Sequence, residues 1–433
     1  MRMVQLTKQE KENILENLLK RSPNQYDEYQ EAVNEILENV KKEGDKAVFD
    51  YTKRFDKANI SKETLYVTEE EIKEAYSLVD ADLIETMKKS IANIRDFHER
   101  QVRNSWFHTR EDGVILGQRV RGLERVGLYV PGGTAAYPSS VIMNAVPAKI
   151  AGVKEIIMVT PPRKDGTPNP DILIAAALCG VDRIFLSGGA QAIAALAYGT
   201  KEIPKVDKIV GPGNIYVATA KKLLYGIVDI DMIAGPSEVL VMADETANPA
   251  FAAADLMSQA EHDVMASSIL VTTSEKLAEQ VQAEINRQVQ TLERKEIIEK
   301  SMNTYGAILL CNSREEATAL ANRVAPEHLE VLMENPMELL GALDNAGSVF
   351  LGQYASEPLG DYYAGPNHVL PTSGTARFFS PLGVASFTKR SSYTYYTKDA
   401  LRAAKDDIVL IANREGLTAH ANAITVRFED EKE

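Results

Sequence analysis

A helix-loop-strand unit used twice in succession constrains the fold of this 433-residue chain more than any other feature. Ala151-Gly152-Val153-Lys154-Glu155 leads into the apolar run Ile156–Val159, and Cys179-Gly180-Val181-Asp182-Arg183 leads into Ile184–Leu186. Gly152 and Gly180 are 28 residues apart. A glycine-ended helix, a short loop and a β-branched run, repeated at that spacing, are βα units around a parallel sheet. Val126–Val130 and Lys208–Val210 read as further strands, and Ser139–Ile150 as a helix. A second series opens near Ser237. Its expected strands are Glu238–Met242, Ser268–Thr272, Ala307–Leu310 and Ser348–Leu351, and its helices are about Pro249–His262, Ser274–Val289 and Arg314–Val324. The expectation is an α/β protein with two doubly wound parallel-sheet domains, which suits a length too great for one core.

The flanks read differently. Residues 1 to about 105 are rich in Lys and Glu, with helices such as Gln30–Lys42 and Glu69–Arg103 and no assigned chemistry. Gly352–Gly383 is rich in Gly, Pro and Ser, and so polar and long a loop is read as functional. The last fifty residues hold a Tyr- and Thr-rich strand, Ser391–Thr397, and a helix from Asp399. Too short for a core of its own, this tail has to pack on something else, another subunit being one candidate.

The net charge of −14 argues against nucleic acid or an anionic membrane as partner. No apolar run approaches the roughly 18 residues of a membrane span. The first twenty residues lack the apolar centre of a signal peptide. Two cysteines, Cys179 and Cys311, make no disulfide framework or thiolate-rich metal site, and fit a cytoplasmic protein.

Three glycine-rich turns end strands of the first series: Tyr129-Val130-Pro131-Gly132-Gly133, Ser187-Gly188-Gly189-Ala190-Gln191 and Gly211-Pro212-Gly213-Asn214. Ligands of open α/β sheets bind at the carboxyl ends of strands, and glycines let the backbone approach a phosphate at a helix N-terminus. A nucleotide fits. None of the turns completes Gly-x-Gly-x-x-Gly, since Tyr216 stands where the third glycine belongs. Tight turns for helix-sheet packing are the alternative.

In the second series Gln259 and His262 are three apart and share a helix face. Asp361 sits in the long loop and His420 in the tail. Two imidazoles, a carboxylate and an amide oxygen suit Zn²⁺. Each also has a structural explanation: a helix-dipole contact for His262, an exposed polar residue for Gln259, a turn for Asp361, surface or core for His420. Glu327-His328, at an expected helix-to-strand junction, pairs a carboxyl with an imidazole and can supply two proton transfers of different basicity. Cys179 reads as core. Cys311, at a strand end, would suit an aldehyde dehydrogenase nucleophile, but no base adjoins it in sequence. A metal-binding scaffold without catalysis is a further alternative.

Asp231-Met232-Ile233-Ala234-Gly235-Pro236-Ser237-Glu238, followed by Ser258-Gln259-Ala260-Glu261-His262-Asp263, resembles the signature stretch of the histidinol dehydrogenases. Ala325-Pro326-Glu327-His328-Leu329, Gly365-Pro366-Asn367-His368-Val369-Leu370-Pro371-Thr372 and Glu415-Gly416-Leu417-Thr418-Ala419-His420 are similar to the same family, in the same order. The resemblance runs from about Gly122 to the C-terminus. It implies NAD⁺-linked, zinc-dependent oxidation of L-histidinol to L-histidine through the aldehyde, the last two steps of histidine biosynthesis. It implies one Zn²⁺ per subunit on Gln259, His262, Asp361 and His420, and Glu327 and His328 as the acid-base pair. Ser237 and Glu415 would contact substrate, which the zinc ligands and His328 also border. Tyr129, Gln191 and Asn214 would contact NAD⁺. His368 is a weaker candidate for contact with the developing carboxylate, or a loop-structuring residue. A homodimer with exchanged tails would bring Glu415 and His420 to the partner's site. The resulting domain expectation is a helical arm over 1–25, a larger α/β domain over 26–127 plus 235–383, a Rossmann-like NAD-binding domain over 128–234, and a tail domain over 384–433.

Overall fold

The repeat closes into a five-stranded, all-parallel sheet in the order Arg183–Leu186, Glu155–Thr160, Arg125–Tyr129, Lys208–Val210, Asp229–Ile230. The computed structural model describes residues 1–5, 26–132, 137–233 and 235–429. Most of the expected arm over 1–25, together with Gly133, Thr134 and Ala234, lies outside the described residues. The second series forms a six-stranded parallel sheet in the order Arg2–Gln5, Ala307–Leu310, Ser267–Thr272, Glu238–Ala243, His328–Leu332, Ser348–Leu351. One strand here was not among the expected ones, and another was expected only as the far side of the helix-to-strand junction at Glu327-His328. Arg2–Gln5 falls in a region read as helical, and pairs along Ala307–Leu310. His328–Leu332 carries His328 and Glu330 within a fully buried strand, which breaks the apolar run that betrays a strand in sequence.

Both faces of the six-stranded sheet are covered, as parallel sheets require. Val239 and Val241 point into one core, Leu240 and Met242 into another, following the period of two. The helices Tyr26–Glu43, Asp45–Phe55, Glu69–Leu78 and Ala81–Glu99 instead share one core with the five-stranded sheet, through Val33, Val48, Ala75 and Ile94. Residues 26–101 therefore pack with the smaller sheet, where the sequence-based division grouped them with 235–383.

Residues 1–101 and 123–387 form one compact unit, and 102–122 with 388–433 form a second. The second unit has a three-stranded antiparallel sheet, Thr388–Tyr395, Ile115–Gly122 and Trp106–Thr109, and the helices Lys398–Arg414 and Thr418–Thr425. Residues 102–122, expected in the larger domain, group with the tail because all eight residues of Ile115–Gly122 pair with Thr388–Tyr395. Within this unit only a few apolar side chains are buried, Ala400, Ala412, Ala421 and Phe428 among them, in keeping with a tail too small for a core. No helix among the described residues is long and apolar enough to cross a membrane.

Candidate active site

Each sheet reverses the strand order of its βα series once, the edge strand Arg2–Gln5 of the larger sheet standing outside that series. In the five-stranded sheet the reversal lies between Arg125–Tyr129 and Lys208–Val210, and in the six-stranded sheet between Glu238–Ala243 and His328–Leu332. A cavity of about 430 Å³ is bordered by residues from both places. From the smaller sheet come Gly211, Pro212, Gly213 and Asn214, at the carboxyl end of a strand as expected. From the larger sheet come Ser237, Glu327 and His328, at the amino ends of their strands. Gln259 and His262 also border it, because the helix Pro249–Ala260 runs back over the sheet and ends at that amino edge.

His328 begins its strand. The helix Arg314–Val324 stops at Ala325, which takes a left-handed conformation (φ 50), and Pro326 bars its continuation. The Nδ1 of His328 lies 3.1 Å from the carbonyl oxygen of Glu238. A carbonyl only accepts, so Nδ1 carries the hydrogen and Nε2 keeps a free lone pair. That Nε2 is buried with no hydrogen-bond partner among the described residues, 3.9 Å from Asp361 Oδ1. Burial holds His328 below the usual imidazole range, hence neutral. Glu327 accepts a hydrogen bond of 2.9 Å from the Glu238 N–H, and burial raises its carboxyl well above the usual range.

Asp361 was expected in an irregular loop. It lies in a short helix, Glu357–Tyr362, whose period puts Glu357 and Asp361 on one face. One donor atom each from His262, Glu357 and Asp361 lie within 4.8 Å of one another. Burial, and then the Glu357 charge, push the Asp361 carboxyl up to about 8. Gln259 is buried at 1% exposure with its Oε1 unpartnered, whereas His262 is exposed. His368 is also at the cavity, its Nδ1 3.9 Å from Asp361 Oδ1, and burial pushes it down to about 4.

The other expected residues are less gathered. Asn214 borders the cavity but caps the helix Ile215–Leu224, accepting from Tyr216 and Val217. Tyr129 is buried at the end of its strand and Gln191 in the first turn of the helix Gly189–Tyr198, and the Tyr129 hydroxyl accepts from the Gly189 N–H at 3.1 Å. Both polar atoms of the Gln191 amide are buried without hydrogen-bond partners among the described residues. Glu415 and His420 belong to the second unit, where both are exposed. Cys179 is core, and burial pushes its thiol up to about 12. Cys311 is buried in one of the cores of the larger sheet, away from the residues that line the cavity.

Two carboxyl residues were assigned no chemistry in the sequence. Glu357 carried a usable signal, its i, i+4 spacing to Asp361, obscured by the surrounding glycines and prolines. Asp56 had none. It comes from the N-terminal helices, lies 3.4 Å from where a Gly188 Cβ would stand, and keeps its buried Oδ2 unpartnered.

The profile of the histidinol dehydrogenases matches residues 19–428. The chain belongs to the histidinol dehydrogenase family. Histidinol dehydrogenase of Clostridium acetobutylicum is 60% identical over 418 residues, 96% of each chain. That of Listeria monocytogenes is 59% identical over 399 residues, 92% of this chain and 93% of its own. The crystal structure of histidinol dehydrogenase from Elizabethkingia anophelis superposes with a TM-score of 0.93 at 40% identity, covering 99% of this chain and 98% of that one.

Proposed function

We propose that the protein oxidises L-histidinol to L-histidine through the aldehyde, with NAD⁺ as acceptor in both steps and one Zn²⁺ in the site. Family membership supports the substrate. The observation that carries the chemistry is His328: a neutral imidazole whose tautomer leaves Nε2 as a free acceptor facing the cavity. The donor set fits zinc. His262, Glu357 and Asp361 crowd nitrogen and carboxylate oxygen donors together, and the unpartnered Gln259 Oε1 adds a neutral oxygen. The partnerless Gln191 amide suits a polar cofactor at the smaller sheet. When bound, zinc supplies a Lewis acid that orients the substrate's nitrogens, and NAD⁺ supplies the hydride acceptor.

His328 Nε2 removes the hydroxyl proton of the alcohol in the first oxidation. Glu327 then takes a proton from water as it adds to the aldehyde. A carboxyl raised by burial is a stronger base once ionised, which suits this task. His328 returns its first proton to the aldehyde oxygen as water adds, giving the gem-diol, and so is free to take a proton from that gem-diol as the second hydride leaves for a second NAD⁺. Ser237 contacts the substrate from the cavity wall, and Tyr129, Gln191 and Asn214 contact NAD⁺. His420 supplies a zinc ligand and Glu415 a substrate contact by tail exchange in a cytoplasmic homodimer. The deciding experiment counts NADH formed per histidinol consumed. Two equivalents are expected; one would mean that the reaction stops at the aldehyde, and none would overturn the reading.

A further inference from the structure

The helix Ala81–Glu99 shows no chemistry in its sequence, yet it holds the segment that carries Asp361 and His368. Ser90 Oγ donates to the Tyr362 carbonyl at 2.6 Å, and Asn93 Nδ2 donates to the Tyr363 carbonyl at 2.9 Å. Those are the two carbonyls immediately after Asp361. Gly365 follows at φ 117, and a Cβ there would stand 2.9 Å from the Asn93 carbonyl oxygen and 3.2 Å from Phe97 Cβ. Segment and helix are therefore in direct contact, with no room for a side chain between them.

At the end of the helix His98 is fully buried. Its Nδ1 is 2.9 Å from Gln101 Oε1, an acceptor, so Nδ1 carries the hydrogen and Nε2 accepts. Nε2 meets Asn367 Nδ2 at 3.5 Å, and the same Nδ2 donates to the Met143 carbonyl at 2.6 Å. Asn367 immediately precedes His368. Its Oδ1 closes the turn by accepting from the Val369 N–H at 2.9 Å. Gln101 Oε1 in turn accepts from the Val384 N–H at 3.0 Å. The segment is thus pinned just after its carboxylate and just before its imidazole.

We infer that Ser90 and Asn93 are positioning residues that hold Asp361 in place to ligate a metal, with His98 doing the same for His368 through Asn367. The inference rests on the proposed role of Asp361 at the metal. A ligand on a six-residue helix has little packing of its own, so its orientation depends on what anchors that helix. Outer-shell partners of metal ligands typically cost on the order of 10–100-fold in metal affinity or activity when removed.

The test replaces Ser90 and Asn93 together by Ala in the full-length protein. Zinc affinity is measured by chelator competition without substrate, KM for histidinol and for NAD⁺ are measured separately, and amide hydrogen exchange is followed over residues 357–368. Zinc affinity is expected to fall about 10–100-fold, KM for histidinol to rise, KM for NAD⁺ to stay unchanged, and exchange over 357–368 to accelerate while the two sheets keep their protection. Unchanged zinc affinity with unchanged exchange overturns the inference, as does an equal rise of both KM values. If the unsubstituted protein binds zinc but leaves histidinol untouched, the functional reading fails while the zinc comparison still decides this one. If it binds no zinc at all, the inference is overturned together with the metal site.

Discussion

Replacing Lys221 by Met removes the cation from a buried pair that shapes the cavity wall. The side chains of Lys221 and Asp231 are 7% and 3% exposed and in direct contact. Lys221 Nζ also donates to the Gly211 carbonyl at 2.9 Å, while Asp231 accepts from the Gly211 N–H at 2.8 Å and from the Met232 N–H at 2.7 Å. Both backbone groups of Gly211 are thus held by one ion pair, at a φ of 113 where an added Cβ would come within 2.0 Å of the Tyr129 carbonyl oxygen. Removing one partner of a buried pair leaves an uncompensated charge and costs about 3–5 kcal/mol. Replacing both, Lys221→Met with Asp231→Leu, removes the charge with its counterion and should recover much of that loss. Denaturant unfolding of the wild type, both single variants and the double variant gives the coupling energy. A loss below about 1 kcal/mol for Lys221→Met, or single effects that simply add in the double variant, would refute the reasoning. Because Gly211 and Asn214 border the cavity, KM for NAD⁺ should rise in the single variant more than KM for histidinol.

His328→Asn should lose both oxidations, by roughly 10²–10⁴-fold each if Nε2 is the general base. Glu327→Gln should mainly slow oxidation of the aldehyde, and equal losses in both half-reactions would sink that division of labour. Cys311→Ser should keep its catalytic turnover, since the thiol is buried among apolar side chains; a thousandfold loss of kcat in a folded protein would revive an aldehyde dehydrogenase mechanism. Burial raises the Asp56 carboxyl from 3.8 to about 6, so the folded protein binds its proton more tightly than the unfolded chain. Stability is therefore lost to this group as pH rises from about 4 to 6. The variant Asp56→Asn should gain on the wild type over that window, by on the order of 1 kcal/mol after solvent screening, and melting curves at pH 4.5 and 7.5 that differ equally would contradict it.

How much of this was legible in sequence depended on how local each signal was. The βα units and the helix Arg314–Val324 with its junction into Glu327-His328 follow from spacing over a few residues, whereas the helix Pro249–Ala260 ends before His262 and leaves it exposed while Gln259 is buried. Glu357 needed the knowledge that a glycine- and proline-rich stretch contains one turn and a half of helix. The helix Ala81–Glu99 and Asp56 gave no sign of their positions, since hydrogen bonds to Tyr362, Tyr363 and Asn367 span some 270 residues. The placement of 102–122 with the tail depends likewise on a long-range antiparallel ladder.

The sequence by itself determined the class of fold and the chemical types available, because helix and strand periods and glycine turns are short-range properties of the backbone. Only the tertiary structure decided where those groups meet. In the smaller sheet the cavity meets the carboxyl end of Lys208–Val210, whereas in the larger sheet Ser237, Glu327 and His328 stand at amino ends. Which edge of a sheet faces a cavity is set by how two sheets and their helices pack. That packing rests on many weak apolar contacts between distant residues, which no window of the sequence contains.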